Sequence, residues 1–273
     1  MSLEVERGVL AGLHFQVYRG GSAAGAPPLV LLPGLLSDGR QLRRVARGLP
    51  RLVVVVDPLG VGGSDAPQAA ADYALPELAA RLFVLLDGLG LRGVDLAGLS
   101  MGGMWAQHAL VRARTSDPGR FRAAALVASA ADVSPRLRSV LAGLLSFHRA
   151  EVPWRDIFRT LQLLLFAPEF LDRPSVVPML DLLAGDVQRP PHVIEGQAAA
   201  LLGHDLHEQL AGLPVRRVLA GDQDLLMPPH TQRRLGAALG GLEPVFLPGG
   251  GHALWIERAE ALGAAIADAL SAG

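Results

Sequence analysis

The chain has 273 residues, 50% of them hydrophobic, and its 25 basic and 26 acidic residues leave a formal net charge of -1 at pH 7. Neither sign gathers into long runs, which argues against nucleic acid or an anionic membrane as a partner, and the length suits one larger domain or one domain with an insertion. Cysteine is absent, which excludes disulfides and thiolate chemistry.

Residues 1–7 are charged and lack the apolar core of a signal peptide. The longest apolar stretches, residues 52–56 and 163–167, are far too short to span a bilayer. A cytoplasmic protein with no membrane insertion is therefore expected. Every cationic side chain other than histidine is arginine, which reads as compositional bias rather than function.

Along the chain, residues 3–7 and 13–18 alternate well enough to form a hairpin, and 20–28 is a turn-rich connector. Residues 29–32 and 52–56 are continuous apolar runs bounded by Pro and Gly, as in strands buried on both faces, with a helix over 41–48 between them. A second helix is predicted over 72–89, with Pro76 and Glu77 in its first turn and Leu78, Leu82, Leu85 and Leu89 along one stripe. Strands follow at 94–97 and 123–128, separated by helix-like text from Met104 onward. Between about 134 and 213 the rhythm breaks into helices punctuated by seven prolines, rich in Leu and aromatic residues. It resumes with strands at 217–221 and 244–247 and an amphipathic helix beginning near Ala253. This alternation predicts an α/β fold, a mostly parallel sheet with helices on both faces.

The chemistry centres on Ser100, in Gly98-Leu99-Ser100-Met101-Gly102, where a strand turns sharply into a helix. Glycines flanking the turn let the serine adopt strained dihedrals, and the following helix aims free N–H groups at charge developing near the hydroxyl. Such a serine needs a base and an orienting acid. His252, in a glycine-rich loop after a late strand, is the candidate base. Asp224, just beyond the strand at 217–221, is the candidate acid, with Asp222 and Asp132 behind it; Asp222 follows its strand too soon to reach across the sheet edge. Acid and base both leave the carboxyl ends of strands, the edge where open α/β sheets place ligands.

Seven other histidines compete: His14, His108, His148, His192, His204, His207 and His230. Only His204 and His207, three apart, raise the question of a metal. No neighbouring residues complete a coordination set, so they read as a polar helix face and no metal is expected.

Four motifs give the chain, over nearly its whole length, a resemblance to the α/β-hydrolase family. They are Leu31-Leu32-Pro33-Gly34-Leu35-Leu36, the loop Asp57-Pro58-Leu59-Gly60-Val61-Gly62-Gly63-Ser64-Asp65, the turn at Ser100, and the pair Gly221-Asp222-Gln223-Asp224 with Gly251-His252. The resemblance implies an oxyanion hole formed by the backbone N–H groups of Leu35 and Met101, although Pro33 replaces the histidine usual in the first motif. It implies a core of residues 1–133 and 214–273, with 134–213 inserted as a helical lid. A Leu- and Phe-rich lid favours an apolar acyl or alkyl group, and Trp105, Phe147, Trp154 and Phe158 are candidate substrate contacts, with Gln107 near them. The implied activity is a serine hydrolase acting on an ester, lactone or thioester of a small molecule, with no cofactor. The same scaffold also serves C–C bond hydrolysis, perhydrolysis, acyl transfer and small-molecule reception.

Overall fold

The computed structural model describes residues 5–20, 25–184 and 190–271. It opens with the hairpin β1 (Val5–Leu10) and β2 (Leu13–Arg19). The first strand continues through Leu10, past the expected end at Arg7, because Ala11 and Gly12 both take positive φ (53° and 77°) and close a two-residue turn. Leu3, the expected start, lies outside the described residues.

The strands β3 (Leu29–Leu32) and β4 (Leu52–Val56) flank α1 (Gly39–Gly48). That helix begins two residues before the expected Gln41, because Asp38 caps it by accepting a hydrogen bond from the Arg40 N–H at 2.9 Å. The second predicted helix is shorter than expected. Ala70–Tyr73 forms one 3-10 turn, and α2 (Leu75–Gly88) starts afresh with Pro76 in its first turn. Proline has no N–H to bond one turn back and its ring would clash there, so the helix cannot run through it from Asp72.

Then come β5 (Val94–Leu99), α3 (Met101–Ser116) and β6 (Phe121–Val127). Five helices follow, α4 (Pro135–Arg149), α5 (Trp154–Leu165), α6 (Pro168–Leu171), α7 (Val176–Ala184) and α8 (Pro191–Leu202). The chain closes with β7 (Val215–Gly221), α9 (Pro229–Ala238), β8 (Val245–Leu247), α10 (Leu254–Glu257) and α11 (Ala259–Ser271).

The eight strands form one sheet in the order β1-β2-β4-β3-β5-β6-β7-β8. β1 and β2 run antiparallel, and β2 also pairs antiparallel with β4; the rest are parallel. Continuous apolar strands suit a sheet covered on both faces, and side-chain alternation divides them between two cores. Val30, Leu32, Val54 and Val56 join the core built with α2 and α3. Leu29, Leu31, Val53 and Val55 join the core built with α1 and α11.

The five-helix segment belongs to neither face alone. Leu137, Leu141, Leu144, Val193 and Ile194 enter the first core, whereas Phe166, Phe170, Val176 and Leu180 enter the second. The segment thus straddles the carboxyl edge of the sheet, with an apolar anchor on each side. Among the described residues, no helix is long and apolar enough to cross a membrane.

Candidate active site

Ser100 sits between β5 and α3 at φ 55°, ψ -119°, in a backbone region that L residues rarely enter. The flanking glycines make that turn possible. A Cβ at Gly98 would strike the carbonyl of Gly102, and one at Gly102 would strike that of Leu32. Four hydrogen bonds hold the strained backbone: its N–H donates to Val127 O at 2.8 Å, and its carbonyl accepts from Gly103 N–H at 2.9 Å, Met104 N–H at 3.3 Å and Ser129 Oγ at 3.0 Å.

Three side chains remote in sequence meet here. His252 Nε2 lies 3.0 Å from Ser100 Oγ, and His252 Nδ1 lies 2.8 Å from Asp224 Oδ2. The other Asp224 oxygen accepts from the N–H groups of Leu226 (2.8 Å) and Met227 (2.7 Å). With its carboxylate satisfied on both sides, Asp224 accepts from Nδ1–H, which leaves Nε2 free to accept from the serine hydroxyl. Serine, histidine and aspartate are all buried. Asp222 is exposed, and Asp132 is ion-paired with Arg234.

The loop carrying His252 is tied to the helical segment. Ala253 N–H donates to Leu165 O at 2.8 Å, and the Glu257 carboxylate accepts from Gly251 N–H (3.2 Å) and Ala167 N–H (3.3 Å). Burial pushes the Glu257 carboxyl above its ordinary value, and those two donors oppose the rise. The Trp255 ring meets His252 edge-on at 5.8 Å, and its Nε1 donates to Gln41 Oε1 at 3.2 Å.

Facing Ser100 is the turn after β3. A Cβ placed on Gly34 would lie 3.2 Å from Ser100 Cβ, so only glycine brings the backbone this near without displacement. The N–H groups of Leu35 and Met101 have no acceptor among the described residues. Leu36 is held at φ 52°, its N–H donating to Gln197 Oε1 at 2.8 Å, while Gln197 Nε2 donates to Leu59 O at 2.7 Å. Gln197 escaped sequence reasoning because a glutamine in an apolar helix carries no signal of a partner 161 residues away.

A cavity of about 130 Å³ opens onto Ser100 and His252. From α4 it takes Leu137, Val140, Leu141 and Leu144, the i, i+3, i+4, i+7 stripe of one helix face; α5 adds Trp154, Phe158, Leu161 and Leu165. Leu35 lines it too, and the Trp154 and Phe158 rings stack with centroids 6.4 Å apart.

Two expected contacts lie elsewhere. Trp105 is wholly buried in the core, on the inward face of α3 just past its first turn. Phe147 sits past the last lining residue of α4 and is 42% exposed. Gln107 is likewise buried, donating to Ala130 O at 2.9 Å.

His14, His108 and His204 are engaged away from Ser100. His14 Nδ1 lies 2.7 Å from Asp57 Oδ2, pinning the glycine-rich loop after β4 to β2. His204 pairs with His108 rather than His207, Nδ1 to Nε2 at 3.2 Å, and its own Nε2 lies 3.1 Å from Ala130 O. No group of three or more His, Asp or Glu side chains suited to a metal ion occurs among the described residues.

Burial, reinforced by His204, lowers the His108 pKa to about 4 from its ordinary 6.5. A histidine depressed on folding contributes stability above its unfolded value and loses it as pH falls toward the folded one. Stability should therefore decline between about pH 6.5 and 4, by up to about 3 kcal/mol from this group. Thermal melts across that range should fall more steeply for the wild type than for His108→Gln; parallel curves would refute the assignment.

Residues 29–265 match the alpha/beta hydrolase family. The chain belongs to that family. Part of the polyketide synthase ThaQ of Burkholderia thailandensis is 29% identical over 265 residues, covering 93% of this chain but 12% of that protein. The chain thus spans about an eighth of that relative's length. Among solved structures, a thermophilic esterase from Thermogutta terrifontis superposes with a TM-score of 0.80 at 22% identity, covering 97% of this chain and 98% of that one. The 2-hydroxy-6-oxo-6-phenylhexa-2,4-dienoate hydrolase of a Rhodococcus strain does so at 0.77 and 24% identity, covering 99% and 100%. At these identities the likeness establishes a shared hydrolase fold.

Proposed function

We propose that this alpha/beta hydrolase cleaves a carboxylic ester or thioester with a short apolar acyl group through a Ser100–His252–Asp224 triad and an acyl-enzyme. The observation that carries the reading is the continuous line of contacts at 3.0 and 2.8 Å, from alcohol through imidazole to carboxylate, at the mouth of an apolar cavity. As Ser100 Oγ attacks the carbonyl carbon, His252 Nε2 takes its proton, and the buried Asp224 carboxylate stabilises the resulting imidazolium. The developing oxyanion accepts from the Leu35 and Met101 N–H groups; one such donor is typically worth about a hundred- to a thousandfold in rate. The imidazolium then protonates the leaving group. Water, deprotonated by the same ring, releases the acyl group and restores the serine.

In this reading the helices of residues 134–213 form a lid, because they roof the cavity and are anchored on both sides of the sheet. A cavity of about 150 Å³ accommodates a benzene ring, so one of about 130 Å³ suits an acyl group of about four to six carbons. Each buried methylene contributes about 0.8 kcal/mol until the space is filled.

Assayed on p-nitrophenyl esters from acetate to laurate, kcat/KM should climb to the butyrate–hexanoate range and then drop. A fluorophosphonate probe should label Ser100. Rapid labelling with no turnover across an ester and thioester panel would overturn the enzymatic reading in favour of a small-molecule receptor.

A further inference from the structure

A second concavity, of about 690 Å³, lies between the β1–β2 hairpin and α1. Unlike the acyl cavity it is lined by charge. Arg7 stands opposite Gln16 across the hairpin, on the same face as Tyr18, and Arg43 and Arg47 project from α1 one turn apart. The carboxylates in the cleft are already engaged. Asp38 takes Arg40 through both its oxygens, at 2.7 to 3.0 Å. Asp57 accepts from Gly39 N–H (2.7 Å) and Gly63 N–H (3.1 Å) and meets His14.

Arg7, Arg43 and Arg47 have no acidic partner among the described residues. Three solvent-facing guanidiniums from two elements thus line one cleft without an ion-pair partner among the described residues, and with Arg40 they outnumber its two carboxylates, Asp38 and Asp57. Their field reaches the buried Tyr18 hydroxyl: burial raises its pKa, Arg43, Arg47 and Arg7 pull it back, and the Asp57 carboxylate adds a smaller rise. Like charges held together repel unless an anion joins them, and planar guanidiniums match the oxygens of a phosphate.

The two concavities share a wall. Ser37 and Gln41 line the acyl cavity, whereas Asp38, which caps α1, and Arg40, in its first turn, line the cleft. Residues adjacent in sequence at the start of α1 thus line both concavities.

We propose that this cleft binds the phosphate group of a small phosphate ester through Arg7, Arg43 and Arg47. In the form that deepens the function proposed above, and rests on it, the phosphate belongs to the substrate itself, a handle remote from the acyl group. A separate phosphate ester would use the same chemistry.

The binding arm needs no turnover. Ser100→Ala protein is titrated calorimetrically with inorganic pyrophosphate at low ionic strength. Saturable binding is expected, weakened about tenfold by Arg43→Ala and about tenfold again by adding Arg47→Ala, as each charge-assisted contact is lost. Lysine at both positions should restore part of it. Absence of saturable binding, or equal affinity in the double variant, overturns the proposal whether or not the chain hydrolyses esters.

The kinetic arm compares an acyl ester carrying a terminal phosphate with its uncharged analogue. A KM at least about tenfold lower for the phosphorylated ester, lost in Arg43→Ala/Arg47→Ala while turnover of the uncharged ester is unchanged, supports the handle. Equal KM values alongside pyrophosphate binding overturn the handle and leave the cleft to a separate phosphate ester.

Discussion

Replacing Ser100 by Ala is expected to lower kcat on p-nitrophenyl butyrate by about 10⁴- to 10⁶-fold without unfolding the protein. The side chain removed is small, and the strained backbone at φ 55° is held by main-chain partners and Ser129, which remain. His252→Ala should cost about as much, because a serine whose proton has no acceptor attacks poorly. Asp224→Asn should cost about 10⁴-fold, since an amide offers His252 Nδ1 a donor where an acceptor is needed and favours the wrong tautomer. The decisive measurement is the Ser100→Ala/His252→Ala double variant. Groups acting as one unit are strongly non-additive, so its residual rate should match that of either single variant. A double variant slower than both by the product of their losses, or a His252→Ala enzyme retaining a tenth of wild-type kcat, would refute the triad.

The largest expected effect on stability lies at the opposite end of the same strand. Asp95, fully buried on β5, receives Arg51 Nη2 at 2.8 Å and Arg122 through Nε and Nη2 at 2.9 and 2.8 Å. Arg51 is itself only 9% exposed, and Arg122 also donates to Leu270 O at 2.5 Å, tying β6 to the end of α11. Asp95→Ala would leave a buried guanidinium with no counter-charge, which typically costs about 3–5 kcal/mol. For a chain of this size that corresponds to a fall in Tm of about 10 °C.

The folded fraction should keep its kcat. Asp95 lies five residues before Ser100, about 17 Å along an extended strand, with no shared partner. Calorimetric melting alongside ester turnover checks both halves of this expectation. A Tm within 2 °C of wild type would show that water reaches Arg51 freely. Adding Arg51→Met should recover part of the loss, because the uncompensated charge goes with it.

Local features of the sequence foretold much of this architecture. Runs such as Leu52–Val56 lack polar alternation because both faces of their strand are covered, and that pattern predicted parallel strands directly. The glycines around Ser100 marked the strained turn for an equally local reason, since their missing side chains are what the turn requires. The hairpin extends past the expected end at Arg7, to an Ala11-Gly12 turn that is a weaker signal in sequence than Asn-Gly. The helix expected over 72–89 is shorter because Pro76, across which the polar–apolar periodicity runs on, stops the hydrogen bonding.

Side-chain destinations were less legible. Trp154 and Phe158 line the cavity, but Trp105 and Phe147, equally aromatic and equally helical, do not. Composition says that a helix carries an apolar surface; which surface it meets depends on how helices cross.

By itself the sequence determined the α/β alternation and the turn that presents Ser100, because each depends on neighbours within one element. Only the tertiary structure decided that Asp224 rather than Asp222 or Asp132 meets His252, that His204 turns to His108, and that Gln197 holds the turn beside the serine. It also decided that three arginines from β1 and α1 share one cleft. These pairings join residues tens to more than a hundred positions apart, and such distances in sequence become contacts only when strand order and helix packing bring them within hydrogen-bonding range.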